Sequence, residues 1–368
     1  MIKSEKRLKV TDMVGKKQRD IREDNKSVVI DCLLRSQMTL AELEQQLKLS
    51  HTALRKVMME LMDLKVVRII DMKTGEMGRP SALYDIAPDC GCAAAVCLGQ
   101  KRLEIFIVDM KGFQINKFVS EDNFSNVSEM LLFVREKFNS LLKHKRTEKG
   151  GLSTICVSVP FAGVGETPFC ECEKQISHDL GECFKSAEII VKNNNDFWAL
   201  GENKYGKLHH YHGKSALLCE MEGGVCCSFY YEKVNYCGEK PAYGSFNSIF
   251  AGDITADIER AAGESFSAVK EKYLNGKTRA VSIVNAAALP AIKKIAEIAQ
   301  ALCVSLVLLD GRLSDLGNGF LAFASAETAK ISPDTLVNYS ALTDRSPSCA
   351  GAVWFASYVS LKKIMGAV

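Results

Sequence analysis

The sequence has no run of about 18 apolar residues, the length a membrane-crossing helix needs. Its first residues, MIKSEKRLKV, hold no apolar stretch of the kind that opens a secretory signal. Both absences lead to the expectation of a cytoplasmic protein with no membrane partner. Tandem repeats at solenoid spacing and low-complexity tracts are also missing, which argues against repeat arrays and long disordered tails. Net charge is scarce, +3 over 368 residues, too little by itself to mark a polyanion binder. Core material is plentiful: 47% hydrophobic against 25% charged residues supports two or three globular domains.

Cysteine is not scarce, at 14 residues, but metal-binding spacing is. Cys90-Gly-Cys92, Cys170-Glu-Cys172 and Cys226-Cys227 are close pairs without the C-x2-C spacing of a zinc ribbon, and no histidine pair follows at finger spacing. Cys156 and Cys303 stand in apolar strand-like runs, where a thiol acts as a small hydrophobe. The expectation is reduced, mostly buried thiols and no metal. His209, His210 and His212 fall between Gly206 and Gly213 and read as solvated loop residues, because no Cys or carboxylate set accompanies them.

Charge is unevenly placed. Residues 1–88 hold 17 Lys and Arg against 13 Asp and Glu, a balance of +4 that leaves −1 for the rest. Within this basic region Val28–Leu34 reads as a short helix, and Thr39 precedes Leu40, Leu43 and Leu47, spaced for one helix face. After the turn Lys48-Leu49-Ser50, Ser50 suits the N-cap of a further helix whose apolar stripe is Leu54, Val57, Met58, Leu61 and Met62. His51, Thr52, Arg55 and Lys56 lie on its other face near the start. Two short helices joined by a tight turn, with donors opening the second, form a helix-turn-helix able to lay those donors along base edges. A three-helix protein-interaction bundle has the same core pattern. Val66–Ile70 then reads as a strand, Met72–Pro80 as a turn and Ala82–Ile86 as a returning strand, the wing of a winged helix. Arg79, between Gly78 and Pro80, is placed to enter a minor groove.

Pro88-Asp89 reads as a linker into a mixed α/β region. Strands are expected at Cys92–Leu98, Leu103–Asp109, Ser153–Val159, Glu188–Val191, Ser215–Met221, Cys226–Lys233 and Val304–Leu309, and helices at Val127–Leu142, Thr255–Tyr273 and Val281–Leu302. A ligand cleft between two lobes suits this order.

Winged helix, Gly-Arg-Pro wing, linker, opening hairpin, glycine-rich middle and alanine-rich C-terminal helix together resemble the ROK family of repressors and sugar kinases over nearly the whole chain. The nearest type is its DNA-binding branch, which includes the xylose and N-acetylglucosamine repressors. The resemblance implies a two-lobed actin-like, ribonuclease-H-like ATPase fold behind the winged helix-turn-helix. It implies boundaries of 1–88 for the arm and DNA-binding domain, 89–193 plus 350–368 for the first lobe and 194–349 for the second.

The family's phosphate and sugar motifs are altered here. Its Asp-x-Gly-Gly-Thr corresponds to Cys97-Leu98-Gly99-Gln100-Lys101, so the metal-side aspartate is Cys97. Its second phosphate motif corresponds to Glu222-Gly223-Gly224, where a carboxylate repels polyphosphate. The adenosine-side Gly-Gly corresponds to Asp310-Gly311. In Lys192-Asn193-Asn194-Asn195-Asp196, Asn194 stands where the kinases carry the aspartate base, and an amide accepts no proton near neutral pH. Asp196 is the candidate for a displaced base. Ser245 and Ser248 replace the sugar-binding glutamate and the histidine that also ligates structural zinc, and the cysteine cluster is absent. An apolar cluster of Phe246, Ile249 and Phe250 is expected in compensation, and Phe161 fills a glycine position beside the pocket.

The resemblance thus leads to a regulator of carbohydrate-related genes, without catalysis, cofactor or metal. It would bind a double-stranded operator as a homodimer or homotetramer. A sugar-like effector would meet Asn193, Asn194, Ser245 and Ser248. The rivals are an ATP-dependent sugar kinase with an accessory DNA-binding domain and a protein-interaction scaffold.

Overall fold

The computed structural model describes residues 18–73, 80–99, 102–122, 124–143, 151–160, 163–209, 211–213, 215–221, 224–231, 234–236, 252–342 and 346–366. Contacts divide the chain into two units, Met1–Cys90 with Ser360–Val368, and Gly91–Val359.

The first unit runs α1 (Gln18–Leu33), β1 (Met38–Thr39), α2 (Leu40–Leu47), α3 (His51–Asp63), β2 (Val67–Lys73) and β3 (Ser81–Ile86). Thr39 starts α2 with a capping box: its hydroxyl accepts from the Glu42 amide at 3.3 Å, and the Glu42 carboxylate accepts from the Thr39 amide at 2.7 Å. The helix ends where Lys48 turns left-handed, φ 54°. Ser50 then caps α3 by accepting from the Ala53 amide at 3.3 Å. Leu43 of α2 and Leu54, Val57, Met58 and Leu61 of α3 are buried, as their spacing predicts, with Val29, Ile30 and Leu33 of α1, whereas Met62, at the end of the expected stripe, is only partly buried. The small antiparallel sheet has the order β1-β3-β2. Two boundaries differ from expectation. The first helix begins at Gln18, in a polar stretch without a clear stripe. Met72 and Lys73 belong to β2 rather than to the turn, because after a bulge between Ile69 and Asp71 they pair with Ala82 and Ser81.

The second unit holds two five-stranded sheets. The first sheet, in the order β6-β5-β4-β7-β8, is built from β4 (Cys92–Leu98), β5 (Leu103–Asp109), β6 (Gln114–Ser120), β7 (Leu152–Val159) and β8 (Glu188–Asn193). Strands β4, β7 and β8 pair in parallel, and β5 pairs antiparallel with both β4 and β6. Every residue of β4 is buried, and its small side chains allow packing on both faces. Ala94, Val96 and Leu98 meet α4 (Val127–Leu141) and α5 (Phe169–Cys183), whereas Ala93, Ala95 and Cys97 join the core that holds Phe197, Cys349 and Ala352. The second sheet, in the order β11-β10-β9-β12-β13, comprises β9 (Ser215–Glu220), β10 (Cys226–Tyr231), β11 (Val234–Tyr236), β12 (Leu306–Asp310) and β13 (Leu336–Tyr339). One face carries α7 (Ile254–Ala262), α8 (Phe266–Leu274), α9 (Thr278–Ala301) and α10 (Gly317–Ala329).

Helix α6 (Asn194–Tyr205) ties the sheets together, since Phe197 packs with the first and Trp198 and Ala199 with the second. It meets α11 (Pro347–Ile364) where Gly201 and Gly351 touch; a Cβ at 351 would fall 1.7 Å from the Phe197 carbonyl oxygen. Cys156 is a buried small hydrophobe as expected, but Cys303 is exposed. It takes the left-handed position after α9, φ 50°, so it ends a helix instead of opening a strand, and β12 starts only at Leu306.

Candidate functional site

On α3 the buried stripe leaves one exposed arc, and His51, Thr52, Arg55 and Lys56 all lie on it. Ser50 is spent on the helix cap. The His51 ring nitrogen Nδ1 lies 3.5 Å from the Glu44 carboxylate of α2. Glu60, in the last turn of α3, is drawn away by α1: it pairs with Arg22 and, at 3.0 Å, with Lys26. Burial raises the Glu60 carboxyl, but these two cations outweigh it and hold the group below the usual range. The result is a helix face that opens with two exposed cations, Arg55 and Lys56, behind a capped turn and carries the exposed carboxylate Asp63 at its far end. Arg79 lies outside the described residues.

The second unit contains a cleft of about 610 Å³ whose lining includes the end of β4, Asn194, Asp310, Gly311 and the start of α11. Asn194, at the family's base position, is buried and fully engaged. Ser158 Oγ donates to its Oδ1 at 2.8 Å, and its Nδ2 donates to the Leu98 carbonyl at 3.0 Å. A carbonyl only accepts, so Leu98 fixes which end of the amide faces it. Asn193 is the N-cap of α6: its Oδ1 accepts from the Asp196 amide at 2.8 Å, and its Nδ2 donates to the Asp196 carboxylate at 2.8 Å. Asp196, the candidate displaced base, thereby serves its own helix start. The two asparagines proposed for an effector therefore direct both ends of their amides to the protein itself. Ser245 and Ser248, with Phe161, Phe246, Ile249 and Phe250, lie outside the described residues.

At the β4 end of the cleft, Cys97 faces the Cys349 thiol of α11. Burial, then the hydrogen bond with Cys97, holds Cys349 well above the ordinary thiol range. Its sulfur donates to Glu104 Oε2 at 3.3 Å, and Glu104 Oε1 is paired with Lys117 at 3.0 Å and Arg102 at 3.1 Å. Burial raises the Glu104 carboxyl, but Lys117, Arg102 and Cys349 together bring it below the usual range. This cluster was not found from sequence, because its members sit on β4, β5, β6 and α11. Across the cleft Glu220, Asp310 and Asp315 add carboxylates, Asp315 held by Lys270 at 2.7 Å. Gly311, φ 94°, passes so near Met221 that a Cβ would lie 2.6 Å from its backbone carbon. The cleft is thus lined by Glu104, Glu220, Asp310 and Asp315 beside Arg102, Lys117 and Arg312, and the first two of these cations already share Glu104, so the balance does not favour a polyphosphate. Among the described residues no group of three or more Cys, His, Asp or Glu is arranged to hold a metal ion. His209 Nδ1 instead lies 3.0 Å from the Asn203 carbonyl.

Residues 13–90 match the family described as TFIIE alpha subunit. No curated protein matches the sequence. A solved ROK family transcriptional regulator, described as a homologue of the E. coli MLC protein, superposes with a TM-score of 0.68 at 14% identity, covering 94% of this chain and 99% of that one. The chain has a ROK fold behind a winged helix. A ROK glucokinase from Streptomyces griseus in complex with glucose and AMPPNP gives a TM-score of 0.57 at 13% identity, over 72% of this chain and 99% of its own. The ROK hexokinase from Thermus thermophilus gives 0.53 at 14%, over 74% and 99%. Each kinase is covered almost whole yet leaves about a quarter of this chain unmatched, whereas the regulator leaves 6%. Among the described residues no helix is long and apolar enough to cross a membrane.

Proposed function

We propose that the protein is a DNA-binding transcriptional regulator whose ROK-fold unit is non-catalytic and serves dimerisation and effector sensing. The observation that carries this reading is the exposed α3 arc with Thr52, Arg55 and Lys56, set behind a capped turn and beside a β2–β3 wing. The cleft supports the non-catalytic half: position 194 holds a hydrogen-bonded amide, and the first phosphate motif opens with Cys97, paired with the Cys349 thiol, in place of an aspartate. Its volume of about 610 Å³ suits a sugar-sized effector. A two-fold dimer would present two copies of α3 to a roughly palindromic operator of carbohydrate-related genes, with half-sites about one helical turn or a multiple of it apart. Arg79 would add a minor-groove contact. A cytoplasmic location follows from that partner.

The test is recovery of genomic fragments by the full-length protein beside Arg55→Glu at physiological salt. A few enriched sites sharing a palindrome, lost in the variant, are expected. Equal enrichment by both proteins would move the reading to a protein-interaction scaffold. Turnover of a hexose with magnesium-ATP would restore the kinase reading.

A further inference from the structure

One large apolar side chain interrupts the donor face of α3. Met59 is 53% exposed, although four of the five residues of this helix's expected stripe, Leu54, Val57, Met58 and Leu61, are at most 3% exposed and the fifth, Met62, is partly buried. At about 100° per residue, Met59 falls between Arg55 and Thr52 around the helix, at the middle of the exposed arc. It stands about 10 Å along the axis from Thr52, so it follows the donors into the same groove. Of the two nearby carboxylates, Glu60 is turned to Arg22 and Lys26, and the exposed Asp63 stands one turn beyond Met59, on the side away from the donors.

A thioether has no donor and is only a weak acceptor, so hydrogen bonding is not what Met59 offers a base pair. In the major groove the four base pairs show distinct donors and acceptors but only one apolar group, the C5-methyl of thymine. We infer that Met59 reads a thymine methyl in each half-site, between the bases or phosphates met by Thr52 and Arg55. The inference rests on the DNA-binding reading above. It adds a base identity: an A·T pair at that position, with thymine on the strand that faces Met59.

The experiment uses an operator selected by the full-length protein from random duplexes, with each thymine then replaced singly by deoxyuridine, which removes the methyl alone. One replacement per half-site is expected to weaken binding by the wild type about fourfold, the worth of one buried methyl. Met59→Ala should bind the thymine and deoxyuridine versions equally, and its exposure makes the variant safe for folding. Equal binding of all deoxyuridine duplexes by the wild type would overturn the inference while leaving DNA binding intact. So would a thymine preference kept by Met59→Ala. Selection of no sequence at all would overturn both this inference and the reading beneath it.

Discussion

One atom separates the amide of Asn194 from the carboxylate that occupies this position in the kinases of the family it resembles, yet the surroundings have changed with it. The Ser158 hydroxyl would donate to either group, but the Leu98 carbonyl takes a bond that an amide supplies and a carboxylate does not. Asn194→Asp would set a second acceptor against the Leu98 carbonyl at about the present 3.0 Å. The expected cost is about 1–3 kcal/mol of folding stability at neutral pH, with no phosphorylation of hexoses gained. The loss should shrink in acid, because a protonated carboxyl regains a donor toward Leu98. Denaturant unfolding at two pH values and a coupled ATP assay check both halves; unchanged stability at neutral pH would contradict the bonding scheme. The sequence placed Asn194 at the end of β8, but its partners lie 36 and 96 positions away, so the locked amide was not legible there. Glu104 was invisible for the same reason: in the sequence it is one polar residue in an apolar strand, and only pairing brings Lys117 of β6 and Cys349 of α11 to it.

Among the elements, α2 shows how a local signal is extended by a distant one. Glu42 closes the capping box with Thr39, and its other oxygen takes Lys73 of β2 at 2.8 Å. The Lys73 hydrogen bond first, then the Thr39 amide, lowers the Glu42 carboxyl from 4.5 to about 2. A carboxyl lowered on folding contributes stability that is fully present above its unfolded value and is lost as pH falls through the folded one. The contribution of Glu42 should therefore disappear between about pH 4.5 and 2. Glu42 and Lys73 are 44% and 52% exposed, so the effect should be small and screened by salt. Comparing acid unfolding of the wild type with Glu42→Gln is the check: the variant should lack this part of the pH dependence, and identical profiles would remove the pair from the account. Helices α2 and α3 were legible because cap, stripe and turn agreed within a few residues, and β4 and β5 because a continuous apolar run flanked Gly99. Strands β6 and β13 were not, since edge strands such as Gln-Ile-Asn-Lys-Phe-Val-Ser mix polar and apolar residues without a buried run.

For the whole molecule, the last turns of α11 fall in the same unit as the N-terminal helices. Residues Ser360–Val368 group with Met1–Cys90, although α11, which supplies the first of them, begins at the cleft with Pro347 and Cys349. Leu361 is fully buried and Met365 is 6% exposed, and Met365 lines a small cavity with Arg22, Lys26 and Glu60. The C-terminal turn thus borders the same cavity as the two cations that pair with Glu60. Ending the chain after Val359 removes both buried side chains, each worth about 1.5–3 kcal/mol when fully buried. The first unit should then lose several kcal/mol, and hydrogen exchange should rise in α1 and α3 while β4 and β7 stay protected. If α3 reads DNA, operator affinity should fall with it and recover on restoring residues 360–368 alone. Exchange that rises equally in both units would instead make the last turn a support for the whole chain, and exchange that rises in neither would make it dispensable.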